Sequence, residues 1–159
     1  MTISNISTAS QVSAASSFTS SEVRSINTAA ISGLTTAQIA ALGTVNLNVL
    51  SADQVKQLSS TQIQAIRSSD IDDLSTAGIS GLTSGQMPAL TTDQIIGMIE
   101  TQLNAFSAAQ LNALTTGQVK ALETRDVQAL STTLVAQAST TFVQALSTDQ
   151  VNAMGSAQL

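Results

Sequence analysis

The chain has 159 residues, 43% of them apolar, and carries five cations against ten carboxylates for a net charge of −5. It contains no Cys, His, Trp or Tyr, which removes disulfides, thiolate and imidazole metal ligands and the commonest general bases and nucleophiles, so no catalytic, cofactor-binding or metal-binding residue is expected. The cations Arg24, Lys56, Arg67, Lys120 and Arg125 are scattered, whereas a phosphate backbone requires a basic stripe, which argues against a nucleic-acid partner.

Residues 1–18 are rich in Ser, Thr and Ala, with no cation before Arg24. They do not read as a cleavable signal peptide and are expected to form an arm or an N-terminal cap over the first repeat. No apolar run in the chain approaches the length of a membrane span.

From Thr19 an eight-residue unit begins and recurs seventeen times without insertion or deletion, ending at Met154. With positions lettered a to h and a at Thr19, the consensus is [ST]-[ST]-x-Q-[IV]-x-A-L. Positions e and h are apolar in every copy, g is Ala, Gly or Ser in thirteen, and d is Gln in nine. A strict short period is the mark of stacked repeats.

One continuous helix does not fit that period, because eight residues overshoot two turns by about 80° and the e/h stripe would wander round the surface. The chain must break once per octad. Ser or Thr at a, with Gln at d, matches a capping box, and the apolar residues at h and e then form the staple pair around it. The pairs Thr35/Gln38, Ser59/Gln62, Ser107/Gln110, Thr115/Gln118 and Ser147/Gln150 carry this pattern. The matching core residues are Ile39, Leu42, Ile63, Ile66, Leu111, Leu114, Val119, Leu122, Val151 and Met154, with e, g and h facing inward.

Burying e and h contributes roughly 1.5–3 kcal/mol each, against roughly 8–16 kcal/mol for ordering eight backbone residues. A lone octad therefore cannot fold, and stacking is obligatory. The expected fold is an all-α solenoid of short helices, one per octad. The alternative is a β-solenoid, for which Val, Ile and Thr are suited, although h would then point away from e and g.

Several octads depart from the consensus. Octad 7, RSSDIDDL at Arg67–Leu74, clusters Asp70, Asp72 and Asp73. This raises a calcium site, but the segment lacks the Gly and distal Glu of an EF-hand loop, and Asp70 is read instead as a capping acceptor in place of Gln. Pro88 sits at f of octad 9, where a two-turn helix needs its N–H; either this coil is distorted, as a local irregularity or a hinge, or every octad is closer to one turn than two. Ile99 and Glu100 replace the capping pair of octad 11, which predicts a longer helix running through that boundary. Leu134 and Phe142 replace Gln at d in octads 15 and 16, either as a docking patch or as filler for the space left by Ala138; packing favours the second. Residues 155–159 make a partial eighteenth octad, as expected of a fragment or of an end buried on another subunit.

Runs such as LTTAQIAAL (Leu34–Leu42), LSSTQIQAI (Leu58–Ile66), LTTGQVKAL (Leu114–Leu122) and LSTDQVNAM (Leu146–Met154) resemble the tandem octads of long bacterial proteins described as surface or adhesin-like. The resemblance covers nearly everything after Phe18. It implies a non-catalytic structural protein, extracellular or at the cell surface, acting as stalk, filament or adhesin segment. Sparse charge offers little resistance to self-association, head-to-tail or lateral. A protein-interaction scaffold or secreted effector is the alternative function, and the cytoplasm the alternative compartment.

Overall fold

The computed structural model describes residues 18–159, and among these the ordered elements are α-helices of four to six residues and two 3₁₀ stretches, Ser68–Asp73 and Met87–Ala89. Each octad supplies one, from Ser20–Ser25 in octad 1 to Thr148–Ala153 in octad 17. No strand occurs among the described residues, so the chain is a helical solenoid and not a β-solenoid. The arm or cap expected of residues 1–18 lies, apart from Phe18, outside the described residues.

The break between octads is a pair of extended residues at h and a. At the junction of octads 13 and 14, Leu122 has φ −58° and ψ 129°, Glu123 has φ −72° and ψ 158°, and the next helix starts at Thr124. Two such residues in succession turn the chain out of one helix axis and into another. Octad 4 makes its corner differently. Leu42 stays helical and Gly43 takes φ 65°, a conformation that disfavours any residue with a Cβ.

The corners wind the helices into a superhelix. Side-chain hydrogen bonds between successive coils span 25 to 31 residues, so one turn takes between three and four octads. Consequently each octad straddles two octads of the coil beneath. Its d residue reaches the octad four repeats earlier, while its g residue abuts the octad three repeats earlier, as Gly81 does against Ala52 and Gly97 against Ser68.

Positions e and h of octads 1–14 fill the interior and are at most 7% exposed. Ile39, Leu42, Ile63, Ile66, Leu111, Leu114, Val119 and Leu122 are all buried there. Val151 is a correction: it is 36% exposed, and Met154 is only partly buried against the core. Octads 15–17 form the last described coil, and no described residue covers Val143 and Val151. A second correction concerns which positions face inward. Eight of the nine d glutamines are buried, Gln38 being half-buried, whereas g is mostly half-buried, because g meets the neighbouring coil at its rim.

At octad 11 the expected longer helix does not form. Met98 and Ile99 are both extended and a separate helix runs Glu100–Leu103. An Ile side chain accepts no hydrogen bond, so the corner is held by Gln102 Oε1, which accepts from the Ile99 N–H at 3.1 Å. Around Pro88 the helix tightens to 3₁₀, with Ala89 N–H bonded to Gln86 O and Leu90 N–H to Met87 O; the missing proline donor is thus not needed. Leu134 and Phe142 are 6% and 4% exposed, which makes them core and not a docking patch.

Candidate functional site

The feature that recurs through the molecule is the glutamine at d. Its backbone N–H is capped by the hydroxyl at a: Thr35 Oγ1 accepts from Gln38 at 3.2 Å, Ser59 Oγ from Gln62 at 3.2 Å, Ser107 Oγ from Gln110 at 3.3 Å, Thr115 Oγ1 from Gln118 at 3.3 Å and Ser147 Oγ from Gln150 at 3.2 Å. In the other direction, each Gln Oε1 accepts from the N–H of its own a residue at 2.7–2.8 Å. Those two bonds make the capping box.

The other end of the amide does something the spacing alone did not announce. Gln118 Nε2 donates to the carbonyls of Met87 and Leu90, both at 2.7 Å. Gln54, Gln62, Gln86, Gln94, Gln102, Gln110, Gln150 and Gln158 make the same pair of bonds to the e and h carbonyls of the octad four repeats earlier. The h carbonyl sits at the corner, where no helical N–H is in place to satisfy it. One primary amide therefore closes its own helix start and ties down the coil below. Glu could supply only the acceptor, and Asn is a methylene shorter; the two-faced, long Gln fits both demands.

Where Gln is absent, other groups intervene. Leu134 and Phe142 leave the N–H groups of Ser131 and Ser139 without their usual acceptor. Asn104 and Asn112, at f in the coil beneath, reach up instead: Asn104 Oδ1 accepts from Ser131 N–H at 2.7 Å and Asn112 Oδ1 from Ser139 N–H at 2.6 Å. Their Nδ2 groups donate to Ala129 O and Gln137 O, both at 2.9 Å. Asn104→Ala should destabilise the chain by about 1–3 kcal/mol, since it orphans a donor at the corner. Adding Leu134→Gln should recover part of that loss, and a urea-unfolding double-mutant cycle measures the coupling.

Asp70 does not act as the expected cap. Its carboxylate accepts from Ser69 Oγ at 2.8 Å, and the 3₁₀ segment of octad 7 has no side-chain cap. Among the described residues no group of three or more Asp and Glu gathers in a metal-holding arrangement.

Among the described residues, octad 14 alone places a buried carboxylate at d. Asp126 occupies d, only 4% exposed, and its Oδ2 accepts from Glu123 N–H at 2.9 Å. Arg125, on the surface, pairs with Glu123 at 2.7 Å and stands 3.6 Å from Asp126 Oδ1. Burial pushes the Asp126 carboxyl above its ordinary value, against the lowering effect of the Glu123 N–H and the Arg125 charge. A cleft of about 240 Å³ lies beside it, lined by Met98, Ile99, Glu100, Arg125, Asp126 and Ala129.

Coiled short helices, a continuous aliphatic interior and a periodic amide ladder define a tandem-repeat protein of the helical solenoid class. The family model of the ALTTAQ repeat matches the chain twice, over residues 63–98 and 119–159. The letters of that motif run from g to d of the octad, as in Ala113–Gln118, and so span the core, cap and ladder positions. No curated protein and no solved structure matches the chain.

Proposed function

We propose that this chain is a non-catalytic structural segment that self-associates, as part of a bacterial stalk, filament or adhesin outside the cell or on its surface. The observation that carries the reading is the last coil. Position e is at most 1% exposed in octads 1–14, yet Val143 is 51% and Val151 36% exposed, with Leu159 at 80% beside them. Together with Leu146 and Met154 they line an apolar cleft of about 240 Å³. Elsewhere in the molecule such a face is covered by another coil of the same kind, which further repeats or a second copy would supply.

The surface supports the same reading. It is rich in Ser, Thr, Gln and Asn, with 9% charged residues in the chain, so approaching copies meet little repulsion. No helix among the described residues is long and apolar enough to cross a membrane. Light scattering over a concentration series, with negative-stain microscopy, should show chains or fibres, and Val143→Asp with Val151→Asp should abolish them. A strictly monomeric particle at high concentration would favour the alternative, a scaffold that binds another protein along the solenoid.

A further inference from the structure

We propose that the cleft between octads 11 and 14 binds a guanidinium group, such as an arginine side chain carries, with the Asp126 carboxylate as its counter-charge and Glu100 at the rim. Two departures from the consensus meet there. Octad 11 puts Ile99 and Glu100 where Ser or Thr usually stands, octad 14 puts Asp126 in place of Gln, and all three line the cleft of about 240 Å³.

The cleft is what remains when an amide is taken out of the ladder. In octads 12 and 13, Gln110 and Gln118 reach across the junction and donate to the h carbonyls of Leu82 and Leu90, both at 2.7 Å. Asp126 is a methylene shorter and, ionised, has no donor. The h residue that should receive its amide is Met98, 2% exposed and on the cleft wall, whose carbonyl meets no side-chain donor among the described residues. Octads 15 and 16 lack the amide too, but Leu134 and Phe142 at d are apolar and buried; octad 14 leaves a gap beside a charge.

That charge has unused capacity. Asp126 is 4% exposed, and its Oδ2 accepts from the Glu123 N–H at 2.9 Å. Its Oδ1 accepts no hydrogen bond, the nearest cation being Arg125 Nε at 3.6 Å. No fully enclosed side-chain oxygen among the described residues is without a partner, so Oδ1 opens on the cleft that Asp126 lines. Arg125 offsets little of the charge, because it is 72% exposed and pairs with Glu123 at 2.7 Å, where water screens it. Burial accordingly pushes the Asp126 carboxyl up despite both partners.

Glu100, Glu123 and Asp126 against the single Arg125 favour a cation, and the missing amide calls for one that donates in more than one direction. A guanidinium is planar, carries five N–H donors and is weakly hydrated, so it enters a buried site at less cost than an ammonium. Ile99, 47% exposed, and Ala129 give its carbon stem an apolar wall. Calcium or magnesium takes about six or more oxygens, whereas no group of three or more carboxylates gathers among the described residues.

Amide NMR of the isotope-labelled protein, titrated with ethylguanidinium chloride and, separately, tetramethylammonium chloride at constant ionic strength, tests the assignment. Ethylguanidinium should move the Glu123 and Asp126 resonances saturably; tetramethylammonium, which has no N–H, should not. The blocked peptide acetyl-Gly-Arg-Gly-amide should shift the same resonances, and whether it binds more or less tightly than ethylguanidinium distinguishes an arginine presented by a protein from a free guanidinium compound. Asp126→Gln restores the ladder amide, so it should melt no lower than the parent protein while weakening binding by at least about tenfold. Shifts that grow linearly and alike with both salts, binding retained in Asp126→Gln, or calcium chloride moving these resonances where ethylguanidinium does not, would overturn the proposal.

Discussion

Replacing Gln118 by Ala should destabilise the solenoid by about 3–5 kcal/mol, measured by urea unfolding monitored by far-UV circular dichroism, and should do so more than any single capping change. The side chain is 2% exposed and makes three short bonds, from Thr115 N–H and to the carbonyls of Met87 and Leu90. Truncation leaves one donor and one corner acceptor buried without partners, at about 1–3 kcal/mol each, and opens a void. Thr115→Ala removes only a hydroxyl cap, worth about 0.5–2 kcal/mol. Gln118→Glu separates the two roles of the amide. It keeps the acceptor for Thr115 N–H while setting a carboxylate against two carbonyls, so the loss should be larger at neutral pH than in acid. Equal effects of Gln118→Ala and Thr115→Ala would mean that the amide serves as a cap and nothing more.

The other large effect is expected at Gly97. A Cβ there would lie 2.5 Å from the Ser68 carbonyl oxygen and 2.8 Å from Ile71 Cγ2. Backbone cannot step aside as a flexible side chain does, so Gly97→Ala should force the two coils apart. The loss should reach or pass the roughly 1–3 kcal/mol typical of overpacking, and Gly81→Ala, against the Ala52 backbone, should behave alike. Gly117 is the control. Its Cβ would meet only Thr115 Oγ1, at 3.9 Å, and it lies inside the helix Thr116–Ala121. Gly117→Ala should therefore stabilise by about 0.5–1 kcal/mol. Melting curves of the three variants discriminate between glycines that serve close approach and one that does not.

Much of this architecture is written in the period. Eight residues cannot continue one helix, and Ser or Thr with Gln three positions later marks each restart, so short helices and the e/h core are legible from the octad alone. The stagger is not, because it depends on the angle at each pair of extended h and a residues, and no single residue type encodes that angle. The ladder left a trace that can be read in retrospect. A capping box accepts Glu as readily as Gln, yet position d holds Gln nine times and Glu once, at Glu22. A preference for an amide over a carboxylate signals a use for the donor end.

Asn104 and Asn112 were harder to see, since each answers a substitution about thirty residues away and neither stands out among polar f residues. Octad 11 misled for the opposite reason. Ile99 removes the hydroxyl cap, but the corner depends on Gln102, which the octad retains. Val151 misled because burial at e is granted by the coil above and not by the residue itself.

The offset between successive coils also governs how such a chain can change length. An octad resting on two others, as bricks do in a wall, shares its bonds with both, so excising one repeat slides every later repeat onto new partners. Loss of octad 13 would bring Phe142 to the place now held by Leu134, above Asn104, and apolar would again meet asparagine. Asn112, however, would then stand beneath Gln150, two groups competing for the same serine N–H. Lengthening or shortening the array thus preserves its periodicity at any step of eight, while its matched pairs survive only certain steps.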